Sequence, residues 1–229
     1  MNRFDELIIK LCKEYSDDWW IKAFSSGCSD DEVFQVKFDV YRNALDKIDE
    51  KSWGILKNKA TESFKQNLPR RGKNQFFNLL NEALAYEYLV ESGRTNVCFI
   101  EESQEHKTPD LSFCLNERNL FCEVKSIGIS DAELSRYDEP DLVDNSVYSN
   151  LGKGFYNKLS STIDKAISQL PTNGTDNLIY IKLEFDDFVG WYYEKYVEAI
   201  RAFLKDKYPK NSIYIRIGIE KRTIIDHSV

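Results

Sequence analysis

Residues Lys107–Ser126 read KTPDLSFCLNERNLFCEVKS. Two short apolar stretches, Leu111–Leu115 and Leu120–Val124, flank the polar run Asn116-Glu117-Arg118-Asn119. Apolar runs of this length around a polar turn predict a β-hairpin. With the turn centred on Glu117-Arg118, Asp110 falls opposite Lys125 and Ser112 opposite Glu123. Side chains alternate between the faces of a strand. One face then carries Leu111, Phe113, Cys122 and Val124, which is a core face. The other carries Asp110, Ser112, Glu123 and Lys125. A slip of one residue would mix the two sets. Two acids and a lysine are therefore expected on one face, at one end of the hairpin.

Converging carboxylates repel, and burying them is costly unless a cation intervenes. Mg²⁺ takes oxygen ligands, usually one or two carboxylates with waters and substrate phosphate. A lysine two residues from such a carboxylate lies on the same side of the strand. There it can orient an attacking water or neutralise phosphate charge. The chemistry implied is metal-assisted hydrolysis of a phosphodiester. The competing reading is a plain cross-strand salt bridge between Asp110 and Lys125.

Upstream, residues 1–72 lack strand alternation and read as a helical extension or cap. FDELIIKLCKEY places Phe4, Leu7, Ile8 and Leu11 at helical spacing. Ser29-Asp30-Asp31-Glu32 is a helix-start signal, and the helix after it can gather Val33, Val36, Val40 and Leu45 on one face. SWGILKNKATESFKQNL is a third helix, closed by Pro69. From residue 73 to 229 helix and strand alternate. NQFFNLLNEALAYEYLVESG is a helix ending at Gly93, and TNVCFI a strand before the hairpin. Residues 130–150 are polar and acidic, long for a loop in a compact domain. GKGFYNKLSSTIDKAISQL and WYYEKYVEAIRAFLKDKY are helices, and NLIYIKLEF and SIYIRIGIEKR are strands. This order predicts an α/β domain, a mixed β-sheet flanked by helices on both faces.

The chain has 229 residues, 42% hydrophobic and 14% aromatic, enough to bury a core without staples. Net charge is −7, so a nucleic-acid contact would need a local basic patch. Five cysteines include no CxxC pair, which argues against a zinc cluster and for reduced thiols in a cytoplasmic protein. Two histidines, His106 and His227, make a histidine metal site improbable. MNRFDELIIK has acids where a signal peptide has its apolar core. No apolar run approaches the roughly 18 residues of a membrane span.

Pro109-Asp110 and Glu123-Val124-Lys125 resemble the two motif elements of the PD-(D/E)XK nuclease superfamily, the restriction-endonuclease-like fold. Many members carry a third acid on a preceding helix, then an aromatic-Leu pair six residues on, then a glycine. Here Glu82, Tyr88-Leu89 and Gly93 fit that pattern. Glu87 is the competing acid. The resemblance covers about residues 74–185 and leaves 1–72 without a counterpart.

The resemblance implies a divalent-metal-dependent endonuclease, with DNA the expected substrate and RNA the alternative, in restriction, defence or repair. It implies Mg²⁺ as cofactor, with Mn²⁺ able to substitute. Asp110 and Glu123 would be metal ligands, with the Val124 carbonyl as a third and Glu82 at the second ligand shell. Lys125 would position water. Many members also place a Lys or Gln on the helix after the hairpin, near the scissile phosphate. Lys158, Lys165 and Gln169 are the candidates here, against a solvated helix face.

Cutting both strands commonly takes two active sites, so a homodimer is compatible with this reading, as is a partner protein. One feature runs the other way. Residues 101–144 hold 12 acids against 4 bases. That favours the alternative, a non-catalytic interaction protein on the same fold.

Overall fold

The computed structural model describes residues 1–26, 32–103, 107–131, 134–135, 149–171, 176–185, 192–218 and 223–228. Cys28, the Ser29-Asp30-Asp31 signal, His106 and most of the acidic 130–150 segment lie outside the described residues. Seven helices and six strands are described. The helices are α1 Arg3–Glu14, α2 Trp19–Ser25, α3 Glu32–Asp46, α4 Glu50–Phe64, α5 Asn74–Glu91, α6 Lys153–Ile167 and α7 Tyr193–Lys207. The strands are β1 Thr95–Phe99, β2 Leu111–Leu115, β3 Arg118–Ile127, β4 Leu178–Leu183, β5 Ser212–Ile217 and β6 Thr223–His227. The chain is thus α/β, with one mixed six-stranded sheet in sequential order from β1 to β6. β1 with β2 and β5 with β6 are antiparallel, while β3, β4 and β5 run parallel. The chain divides into two compact units, Met1–Asn119 and Leu120–Val229.

In the first unit, α1 buries Phe4, Leu7, Ile8 and Leu11, the spacing read from the sequence. Asn2 caps it, its side chain accepting from the Asp5 amide at 2.8 Å. The buried face of α3 differs from the valine stripe. Phe38, Tyr41, Ala44 and Leu45 are inside, and Val36 is exposed. The helix turns its aromatic side chains inward because they remove more apolar area from water than the valines would. α2 was not apparent in WWIKAFS: two turns with adjacent tryptophans carry no clear period. Asp18 starts it, accepting from the Trp20 amide at 2.8 Å, and Trp20 packs edge-on against Phe64. α4 ends at Phe64, four residues before the expected stop beside Pro69. α5 ends before Gly93, whose φ of 81° closes the helix in the left-handed region that glycine adopts without strain.

The hairpin turn corrects one expectation. Asn116 and Glu117 have φ of 50° and 64°, and they alone separate β2 from β3. Positive φ at both central residues makes a two-residue turn whose twist matches the flanking strands, and asparagine tolerates that backbone best after glycine. The turn is therefore centred on Asn116-Glu117, one residue earlier than expected. Moving the centre by one residue shifts the pairing by two, so the pairing of Asp110 with Lys125 does not follow. An even shift leaves every side chain on its expected face. Leu111 and Phe113 are buried in the first unit, and Leu120, Cys122 and Val124 in the second.

In the second unit, two strand–helix–strand crossovers, β3-α6-β4 and β4-α7-β5, build the parallel part of the sheet. One sheet face carries Ile127, Ile179, Ile181, Ile213 and Ile215, and it packs with Leu159 and Ile163 of α6 and Ile200 and Leu204 of α7. β6 is a strand not anticipated from the sequence. TIIDH follows a charged run and is only five residues long, yet it pairs antiparallel with β5 from Ile213–His227 to Ile217–Thr223. Among the described residues no disulfide joins Cys12, Cys98, Cys114 or Cys122, and no helix is long and apolar enough to cross a membrane.

Candidate functional site

The second unit holds one half of the expected constellation. Glu123 and Lys125 lie two apart on β3, so both side chains leave the same face of the strand. β3 pairs in register with β4, placing Glu123 beside Ile179 and Lys125 beside Ile181. That is the face on which α6 packs. Glu123 is fully buried, and its carboxylate is gripped by the Lys125 ammonium.

Gln169 follows α6, one residue past the C-cap Ser168, and its amide bonds back to the Ala166 carbonyl at 3.0 Å. This seats its side chain at the end of the helix, above Lys125. Lys125 Nζ donates to Gln169 Oε1 at 3.0 Å. An ammonium has three N–H bonds. Two are directed to Glu123 and Gln169, and the third remains for a water or a phosphate oxygen. Lys158 and Lys165 are exposed on α6. Lys165 instead lines a polar cleft with Asn157, Ser160, Asp164 and Lys207.

The first unit holds the other acids. Glu82 sits on α5 and is 9% exposed, and Asp110 immediately precedes β2 and is half-buried. The Asp110 carbonyl accepts from the Ile100 amide at 3.0 Å, which ties the start of β2 to the end of β1. Glu87, the rival of Glu82, is buried and bound to Lys47 at 2.9 Å. It belongs to a structural ion pair between α3's C-terminal end and α5. The third described group near Glu82 and Asp110 is one that sequence reasoning missed. Lys59 of α4, with a side chain 16% exposed, donates to Glu102 at 3.0 Å. Burial alone would lower its pKa. The fields of Glu82, Glu102 and Asp110 and the bond to Glu102 outweigh that and hold it above the usual lysine value. No sequence signal separates Lys59 from Lys51 and Lys57 on the same helix. Only the packing of α4 on α5 and β1 singles it out.

The donors in these two groups are carboxylate oxygens, with a backbone carbonyl at Val124, a set suited to a hard divalent ion. Among the described residues there is no preformed cluster of three or more His, Cys, Asp or Glu side chains able to hold a metal. Mg²⁺ does not need such a cage, since it keeps several waters and takes one or two protein carboxylates. Comparison of the chain with protein-family models, with curated proteins and with solved structures finds no match.

Proposed function

We propose that this chain is a divalent-metal-dependent nuclease of the PD-(D/E)XK type, hydrolysing phosphodiester bonds, with DNA the expected substrate. The observation that carries the reading is the Lys125 ammonium held between buried Glu123 and Gln169. A lysine that served only to neutralise Glu123 would have no need of a second, neutral acceptor from another element. Here the two acceptors fix its direction and leave one donor to act on a ligand.

Asp110 and Glu123 would hold Mg²⁺ with the Val124 carbonyl, and Glu82 would act from the second ligand shell. The bound ion would supply Lewis-acid stabilisation of the phosphoryl oxygens. The chain's own contribution is orientation. Glu123 and Gln169 hold Lys125, and Lys125 directs a water toward phosphorus or meets the charge that develops on the phosphate. Ca²⁺, with looser coordination and longer bonds, is expected to bind without supporting cleavage.

The second reading, an interaction protein without catalysis, draws on the 12 acids against 4 bases in residues 101–144. Incubation with supercoiled plasmid, single-stranded DNA and RNA, each with Mg²⁺ or Mn²⁺ and with EDTA, separates the two. Metal-dependent cleavage that is lost in Asp110→Asn and in Lys125→Ala supports the nuclease. Absence of cleavage of all three substrates, or cleavage unaffected by both substitutions, removes it.

A further inference from the structure

Helix α4 belongs to residues 1–72, the part for which the nuclease resemblance offers no counterpart. It nevertheless delivers a cation to the acids of the first unit. Lys59 is mostly buried and bonds to Glu102 at 3.0 Å. Glu82 and Asp110 both lie within its electrostatic reach. α4 cannot easily withdraw it. The preceding turn is buried through Trp53 and Leu56, the following one through Ala60 and Phe64, and the Ser52 hydroxyl oxygen of the same helix accepts from the Phe99 amide of β1 at 3.1 Å.

We propose that Lys59 is the built-in counter-cation of this acid group, pairing with Glu82 and Asp110 when no divalent ion is bound and thereby setting how readily the ion loads. The proposal rests on the metal-site reading above. Its physical content is competition. Three carboxylates gathered without a cation would repel. A tethered ammonium relieves that repulsion, and it also opposes the arrival of a second positive charge. Glu102 is 75% exposed at its side chain, so it can keep Lys59 company in solvent when the ion takes Glu82 and Asp110. Lys59 is thus a positioning residue, and the helical part of the chain becomes a regulator of the site rather than an appendage.

The test uses the full chain with Lys59→Gln, Lys59→Arg, Glu82→Gln and the Lys59→Gln/Glu82→Gln double variant. Denaturation in EDTA is measured first. The double variant should lose clearly less stability than the two single losses added together, since each single change strands the other's charge. Mn²⁺ titration by isothermal calorimetry follows. Removing a nearby positive charge should lower the Mn²⁺ midpoint in Lys59→Gln about fivefold, while Lys59→Arg stays at the wild-type value. A lysine that only supports α4 would leave the midpoint where it was.

Additive single losses in EDTA overturn the proposal. So does a Lys59→Gln midpoint equal to that of a wild type that binds Mn²⁺. If wild type itself takes up no Mn²⁺, the metal-site reading fails first and the regulatory role falls with it, whatever the EDTA cycle shows.

Discussion

Lys125 Nζ reaches Gln169 Oε1 across 3.0 Å, joining the middle of β3 to the residue that follows the C-cap of α6. The amide does not neutralise the ammonium. Its effect is to hold it in one direction. Gln169→Ala removes one hydrogen bond to a charged group, a contact of the kind contributing about 1.5–3 kcal/mol. If Lys125 acts only when aimed, single-turnover cleavage should slow about tenfold or more. Substrate affinity should hold, because no binding contact is lost. Lys125→Ala should abolish turnover altogether. Adding Gln169→Ala to Lys125→Ala should then change nothing further, because the two act as one unit. A Gln169→Ala enzyme with wild-type single-turnover rate would detach the glutamine from the site.

Gln169 was legible as one of three polar side chains on or after α6, and only tertiary packing separates it from Lys158 and Lys165. The hairpin was legible for a different reason. Strand parity is a strict period of two, so burial of Leu111, Phe113, Cys122 and Val124 survived a wrong turn centre. The turn itself was misjudged because Asn116-Glu117 lacks the glycine that marks a left-handed pair. α3 shows the limit of a helical period. Its apolar residues exceed what one face can bury, and the aromatic ones took the interior. Lys59 was invisible because a charged residue amid other charged residues carries no pattern of its own. Its role depends on which helix lies beside it.

Glu82 and Glu87 are five residues apart on α5, and the structure gives them different company. Glu87 is bound by Lys47, which also contacts Glu91. Burial pulls the Lys47 pKa down, but its bonds to Glu91 and Glu87 outweigh this and hold it above the ordinary value. Glu87→Gln should therefore lower the melting temperature and leave the cleavage rate per folded molecule unchanged. Glu82→Gln should do the reverse, with slower cleavage and little change in metal-free melting beyond its coupling to Lys59. Circular dichroism melts paired with single-turnover rates read both. Interchanged results would move the second-shell role to Glu87.

Asp18 and Lys73 form a second buried ion pair, remote from the candidate site in chemistry. Their side chains meet at 2.6 Å, with Lys73 fully buried and also donating to the Phe64 carbonyl. Burial pushes the Asp18 carboxyl up, but the Lys73 bond, the Trp20 amide and the charge of Lys73 pull it below its usual value. A folded-state pKa lower than the unfolded one adds stability that is complete above the unfolded value of about 3.9. It is lost as pH falls from there through the folded value. Asp18→Asn should thus weaken the acid limb of the stability curve. At neutral pH it should cost about 3–5 kcal/mol, because it leaves a buried ammonium without its counter-charge. Urea titrations from pH 7 to about pH 3 test this. Equal neutral-pH stability with an unchanged acid slope would mean the pair contributes nothing.

The metal reading can be tested without a known substrate. An ion that binds only the folded chain stabilises it by about 2.7 kcal/mol at one hundred times its dissociation constant. For a chain of this size each kcal/mol moves the melting temperature by roughly 2–4 °C. Millimolar Mn²⁺ should then raise the wild-type melting temperature by several degrees, and EDTA should reverse the rise. Asp110→Asn removes one of the two proposed carboxylate ligands and should lose most of the shift. Its own metal-free melting temperature should stay near wild type or rise, since Asp110 is half-buried and one repelling charge is gone. Glu123→Gln is less clean as a probe, because it also strands Lys125 from its buried partner, so it should lower metal-free stability as well as metal response. A wild type with no Mn²⁺ shift, matched by an Asp110→Asn variant that is equally indifferent, would count against a metal at Asp110 and favour the interaction-protein reading.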